Sequence, residues 1–281
     1  MSHSSNNLAR RVGGLSHRWL PFADAATVDL TLPRLWRLSL FQLSTGMAIV
    51  LLTGTLNRVM VVELGQGTSL VSLMLAIPLL LAPARALIGY RSDHHRSYLG
   101  WRRIPYLWSG TLMQFGGLAF MPFALILMIE PHSGPPIIGP IAAMGSFLLT
   151  GLGMHVSQTA GLALATDLAT EESRPRVVAL LYLMLLVGMI SSAVIFAALL
   201  DDFSYVRLIQ VIQSAAVITL ILNVAAMWKQ EVRHPELTDH KREKPTFGSA
   251  WGEFINLPKA RRLLWALGLG TMGFTMQDIL L

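Results

Sequence analysis

Six stretches of this 281-residue chain contain no Asp, Glu, Lys or Arg over 20 residues or more, and that pattern limits the fold more than anything else in it. They are Leu38–Asn57, Leu64–Ala84, Ile104–Ile129, Pro131–Thr166, Val177–Leu200 and Leu208–Trp228. About 20 apolar residues at 1.5 Å each cross a bilayer's hydrocarbon core, so each run reads as a membrane-spanning helix. The fourth is longer than one crossing needs. Its early prolines (Pro131, Pro135, Pro136, Pro140) belong to a loop, which starts that helix near Ile141. A seventh run begins at Leu263 and continues to Leu281 with no capping or turn signal, so position 281 reads as a truncation point. The polar first 37 residues lack the short apolar core of a signal peptide.

Composition agrees with this reading. Only 14% of residues are charged and 53% are hydrophobic, with a mean hydropathy of +0.54; soluble domains carry about 25% charge. Cysteine is absent, which excludes disulfides, thiolate metal sites and a cysteine nucleophile. The net charge of +6 does not indicate nucleic acid, because the basic residues sit between apolar runs. Of 22 Lys and Arg, 19 fall in the N-terminal tail, the links between runs 2–3 and 4–5, and the segment after run 6. The positive-inside rule then places the N-terminus and these links in the cytoplasm.

The expected organisation is a cytoplasmic tail (1–37), a six-helix all-α bundle (38–228), a cytoplasmic linker (229–262) and the first helix of a second bundle (263–281). The linker mixes both signs of charge and holds three prolines; it serves either as a plain connection or as a surface for anionic lipid or a partner. Phe247–Leu257 carries enough Trp and Phe to lie along the membrane interface.

Two polar groupings stand out. The first lies at the basic ends: Gly89, Asp93, Arg96, Arg102 and Arg103 between runs 2 and 3, with Asp167, Arg174 and Arg176 between runs 4 and 5. Either this is an ordinary basic loop pair, or Asp93 and the arginines latch helix ends together, with Gly89 allowing backbones to approach. Arg85 joins such a network or snorkels from the second run to the interface, the reading slightly preferred here. The second grouping is inside the membrane. Gly153, Ser157 and Gly161 form a small-residue stripe in the fourth run, with Gly151, His155 and Gln158 on the opposite face. Three roles are open to His155: a packed polar contact, the lining of a substrate path, or a ligand to chlorin magnesium, with Gly151 leaving space beside the ring. Gln42 and Gln114 add polar handles, and Asp278 in the seventh run should face a protein interior. No phosphate-cradling loop, carboxylate cleft, nucleophile elbow or metal cluster is present, so the chain reads as a non-enzyme without a free metal.

Six helices, a long polar segment and a seventh helix is the layout of half a major facilitator protein and the start of its second half. Gly89-Tyr-Arg-Ser-Asp93 resembles the signature of that superfamily, with an insertion before Gly100. More specifically, Leu51-Leu-Thr-Gly-Thr-Leu-Asn-Arg-Val-Met60, Ala82-Pro-Ala-Arg-Ala-Leu-Ile-Gly-Tyr-Arg-Ser-Asp93 and Gly100-Trp-Arg-Arg-Ile-Pro-Tyr-Leu-Trp-Ser-Gly-Thr111 resemble the bacteriochlorophyll-delivery family. So do Gln114-Phe-Gly-Gly-Leu-Ala-Phe-Met-Pro-Phe-Ala124 and Thr271-Met-Gly-Phe-Thr-Met-Gln-Asp-Ile-Leu-Leu281. These are the PucC- and LhaA-like light-harvesting complex assembly proteins of phototrophic bacteria. The resemblance implies a photosynthetic-membrane protein that binds bacteriochlorophyll and delivers it to antenna subunits around the reaction centre. His155, helped by Gln158, is then the preferred pigment contact, and the basic loops face antenna subunits or anionic lipid. The rival functions are a solute or lipid transporter and a pigment-free structural chaperone of the antenna ring.

Overall fold

The computed structural model describes residue 25 and residues 30–96, 100–129, 135–231 and 246–280, with side chains of the last segment described to position 270. The described residues are helical with no strand, and six helices are long and apolar enough to cross a membrane. The first unit, 1–238, holds all six; the second is 239–281.

Span one is α1 (Leu32–Ile49) continued by two π-helical segments, Val50–Leu56 and Val59–Glu63. Pro33 sits in the first turn, where its missing N–H costs nothing. In the first π segment Thr53 Oγ1 donates to the Ile49 carbonyl at 2.8 Å, a back-bond that loosens the α-helical ladder. Span two is broken into α2 (Thr68–Leu80) and α3 (Ala84–Asp93). Pro83 has no N–H to give Leu79, so tighter bonds carry the chain through the break, Leu81 N to Pro78 O (3.2 Å) and Ala82 N to Leu79 O (3.0 Å). Spans three to six are α4 (Ile104–Ile129), α5 (Ile138–Leu168), α6 (Arg174–Leu199) and α7 (Tyr205–Met227). The first span therefore starts at Leu32 rather than Leu38, and the fourth at Ile138 rather than Ile141.

Spans three and four make the most extensive helix pair. Span one packs on spans five and six, span four on spans two and three, span three on span six, and span one on span four. Exchanging spans one to three for spans four to six reproduces this list, the pattern of two three-helix repeats in opposed orientation. Glycines permit the close crossings. A Cβ at Gly46 would sit 2.3 Å from the Leu185 carbonyl of span five, and one at Gly188 would sit 2.4 Å from that of Leu43.

Apolar side chains form two separate cores. One, at the end opposite the arginine-rich links, centres on Leu51, Met60, Met121 and Phe147; the other, at the arginine-rich end, on Leu38, Phe41, Leu107 and Leu180. Between them lies a layer in which Gln42, Ser44, Thr111, Gln114, Thr150, Ser157, Thr219 and Asn223 are enclosed. Spans two and five stand at the flanks. They bury only 17% and 28% of their most apolar windows, against 50% for span one, and present leucine, isoleucine and valine outward.

In the second unit, α8 (Phe247–Asn256) is capped by Thr246, whose Oγ1 accepts from Ser249 N at 3.2 Å. Its Phe247, Trp251 and Phe254 rings follow one another at 6.1 and 5.8 Å. Next, α9 (Pro258–Leu280) starts on its proline, inside what the sequence reads as linker.

Candidate functional site: a polar layer at membrane depth and an arginine cluster

The break in span two turns Arg85 inward. Its Nε donates to His155 Nδ1 at 2.8 Å, and its Nη2 donates to Gln158 Oε1. The other imidazole nitrogen, Nε2, lies 2.8 Å from the Pro78 carbonyl, which can only accept. The two contacts together fix a neutral ring protonated at Nε2. Gln158 Nε2 donates to Gln42 Oε1 at 3.3 Å, which extends the chain to span one. Spans one, two and four are thus joined by one polar relay. Nearby, Ser44 Oγ donates to Asn223 Oδ1 of span six at 2.6 Å. Gln114 is fully enclosed, and neither end of its amide has a hydrogen-bond partner.

This arrangement differs from two sequence expectations. Arg85 does not snorkel, nor does it join Asp93; its partners are His155 and Gln158, deeper in the bundle. Gly151 does not leave space beside the imidazole, because Pro78 of span two fills it. A Cβ at Gly151 would come within 2.4 Å of the proline Cβ.

At the arginine-rich end Arg103 organises the charges. Only 5% exposed, it pairs through Nη2 with Asp93, through Nε with Asp167 at 3.0 Å, and donates from Nη1 to Ser92 Oγ at 2.7 Å. Arg102 adds a 3.1 Å contact to Asp167. Arg174 instead bonds the Thr166 carbonyl and stands 3.9 Å from Glu171, while Arg96 and Arg176 are exposed. Gly89 is not a close-approach position, since a Cβ there would meet only Thr159 Cγ2 at an ordinary 3.8 Å. Asp278 falls in α9, but its side chain lies outside the described residues.

Sequence reasoning missed Glu231. Its carboxylate accepts from the backbone N–H groups of Arg102 (2.7 Å), Arg103 (3.0 Å) and Ile104 (2.9 Å), capping span three from just beyond span six. One signal was available: Gly100-Trp101-Arg102-Arg103 precedes a helix with Pro105 in its first turn and offers no Ser, Thr, Asp or Asn to cap it. Beside it, Arg34 Nε donates to Gln230 Oε1 at 3.1 Å, and Gln230 Nε2 returns a bond to the Arg34 carbonyl at 3.2 Å. Glu231→Ala is expected to cost about 1–2 kcal/mol, the range of a lost N-cap, with Glu231→Gln in between; thermal unfolding in detergent measures both.

The geometry bears on a chlorin magnesium. An axial ligand needs a free lone pair facing a cavity as large as the ring. The His155 Nδ1 lone pair is engaged by Arg85, and its Nε2 carries a proton toward Pro78. Gln42 and Gln114 are fully enclosed, and Gln158 is 6% exposed. None of the four pigment-binding candidates fits the ligand role in this conformation.

The family model described as PUCC protein matches residues 55–281. The chain belongs to the PucC family. It is 54% identical to Protein PucC of Rhodovulum sulfidophilum, over 100% of this chain and 63% of that protein. It is 55% identical to an uncharacterized protein in the puhA-bchM intergenic region of Rhodobacter capsulatus, over 97% of this chain and 57% of that one. A more distant relative, at 28% identity over 88% of this chain and 56% of its own length, is the bacteriochlorophyll synthase 44.5 kDa chain of Rhodobacter capsulatus. The chain therefore spans about 60% of the length of the closely similar PucC-family relatives it matches. No solved structure matches it. The family match takes in Arg85, His155, Gln158 and the Arg103 cluster, while Gln42 and Arg34 precede it.

Proposed function

We propose that this multi-pass PucC-family protein is a non-catalytic assembly factor of the photosynthetic membrane, one that carries bacteriochlorophyll to light-harvesting antenna subunits near the reaction centre. PucC-family membership carries the reading, supported by a relative named for bacteriochlorophyll synthase. Two features of the molecule suit it. The side chains of the polar layer are enclosed, while within the first unit the flanks of spans two and five are long, apolar and outward-facing, a surface suited to a chlorin body or to antenna helices. With the arginine-rich end in the cytoplasm, the exposed Arg96 and Arg176 face anionic headgroups and newly inserted antenna chains.

The test is a near-infrared absorption spectrum with extracted pigment per polypeptide, on protein purified from a bacteriochlorophyll-making membrane and stripped of antenna subunits. Roughly stoichiometric pigment supports delivery. A colourless preparation that still rebinds antenna subunits replaces it with the pigment-free chaperone. His155→Leu is expected to leave pigment per polypeptide unchanged, because both ring nitrogens are already engaged within the protein. A matching loss of pigment at unchanged protein yield would show that the ring leaves Arg85 to serve as a ligand.

A further inference from the structure

Arg85 is a cation inside a membrane span with no acid beside it. Among the described residues no Asp or Glu pairs with it; its hydrogen-bond partners are the neutral His155 and Gln158. Its Cα lies eight residues before Asp93, about 12 Å above the arginine-rich end of span two at 1.5 Å per residue. His155, which it reaches, is thirteen residues from the end of span four, about 20 Å along the helix. At those distances the guanidinium falls inside a hydrocarbon core about 30 Å thick, where a charged side chain is costly. Neutral acceptors partly replace its hydration but leave its charge uncompensated.

The partners also position the group. Nε is fixed by His155, itself held on the Pro78 carbonyl at the span-two break, and Nη2 is fixed by Gln158, itself held by Gln42. These contacts use two of the five guanidinium N–H bonds, and both on Nη1 remain unspent among the described residues. Arg85 is half-buried rather than enclosed, so its side chain keeps some accessible surface. A preorganised, uncompensated guanidinium with a free donor edge is a receptor for an anionic oxygen group. Its depth selects the bearer: the group must enter the hydrocarbon on an apolar body, which a headgroup phosphate in its own layer does not do.

We infer that Arg85, oriented by His155 and Gln158, binds the carboxylate of a membrane-dissolved amphiphile. The inference does not require pigment delivery, since a fatty acid and a chlorin acid present the same group.

The experiment uses the whole chain in nanodiscs of zwitterionic lipid, in buffer alkaline enough to ionise a carboxylic acid, with empty nanodiscs subtracted. The probes are pheophorbide, a metal-free chlorin acid, and its methyl ester, both followed by fluorescence; oleate is the competitor. The acid is expected to bind at least about tenfold more tightly than the ester, the scale of one charge-assisted pair. Arg85→Gln should bring the acid down to the level of the ester, and Arg85→Lys should fall between. Competition by oleate identifies a general lipid-acid site, and its absence a chlorin-acid site; either sustains the inference. Equal binding of acid and ester by the unmodified protein overturns it whatever the variants do. Undetectable binding of the acid, or an Arg85→Gln protein of normal thermal stability that keeps its full affinity, overturns it too.

Discussion

Arg103→Leu is expected to destabilise the bundle by about 2–3 kcal/mol, more than any other single change at the arginine-rich end. Removing one partner of a buried ion pair costs about 3–5 kcal/mol because the other charge is left unpaired. The figure is discounted here because the Asp93 and Asp167 side chains are 48% and 36% exposed and water screens them once the arginine is gone. What keeps the cost high is the enclosure of Arg103 and its simultaneous grip on the end of span two, through Ser92 and Asp93, and the end of span four, through Asp167. Asp93→Asn should cost about 1 kcal/mol, since that carboxylate is half in water and Arg103 keeps its other partners. Arg103→Lys keeps the charge but cannot reach three partners with a planar fork, so it should fall between. Thermal unfolding followed by tryptophan fluorescence in detergent measures all three. An Arg103→Leu protein within about 0.5 kcal/mol of the parent, the usual range for surface changes, would reduce the cluster to solvated surface charge.

The residues of this cluster were legible in the sequence, but their pairing was not. Asp93, Arg102, Arg103 and Asp167 stand out as charged residues between apolar runs. Nothing local says that Asp93 meets Arg103 rather than Arg85, because that choice depends on how far span two unwinds at Pro83. The six spans were readable for a simple reason: hydrocarbon excludes charge, so uncharged length reports the crossing directly. Their ends were less so. Span one runs back through Arg37 and Arg34 to Leu32, since a helix need not stop where charge begins.

The polar layer shows the same division. Periodicity put Gly151, His155 and Gln158 on one face of the fourth helix, but a helical wheel names a face and not the neighbour that meets it. That neighbour is span two, 70 residues away between Arg85 and His155, and its Pro78 occupies the space a glycine seemed to leave. Glu231 was unreadable for a related reason. A cap supplied across the bundle leaves only a negative trace in sequence, the lack of a local one.

The largest effect expected anywhere in the molecule is at Gly153, where spans three and four cross. A Cβ there would lie 2.3 Å from Gln114 N and 2.6 Å from the Gly110 carbonyl, and one at Gly110 would lie 2.6 Å from Ser157 N. All of these are backbone atoms, which no rotamer change can move aside. The helices would have to separate by about 1 Å, since ordinary carbon contacts begin near 3.5 Å. That shift would also loosen the next crossing at Gly117 and Thr150. Gly153→Ala should therefore cost about 3 kcal/mol or more, at the top of the usual overpacking range, and Gly153→Leu should yield no folded protein. Gly145, on the same helix, is the control: nothing lies within 4 Å of its missing Cβ. Gly145→Ala should change stability by no more than about 1 kcal/mol, in the stabilising direction that helix propensity favours. Monodisperse yield and thermal unfolding of the two alanine variants decide the matter. If Gly153→Ala behaves like Gly145→Ala, spans three and four do not cross backbone to backbone, and the enclosure of Gln114, whose backbone forms that contact, falls with it.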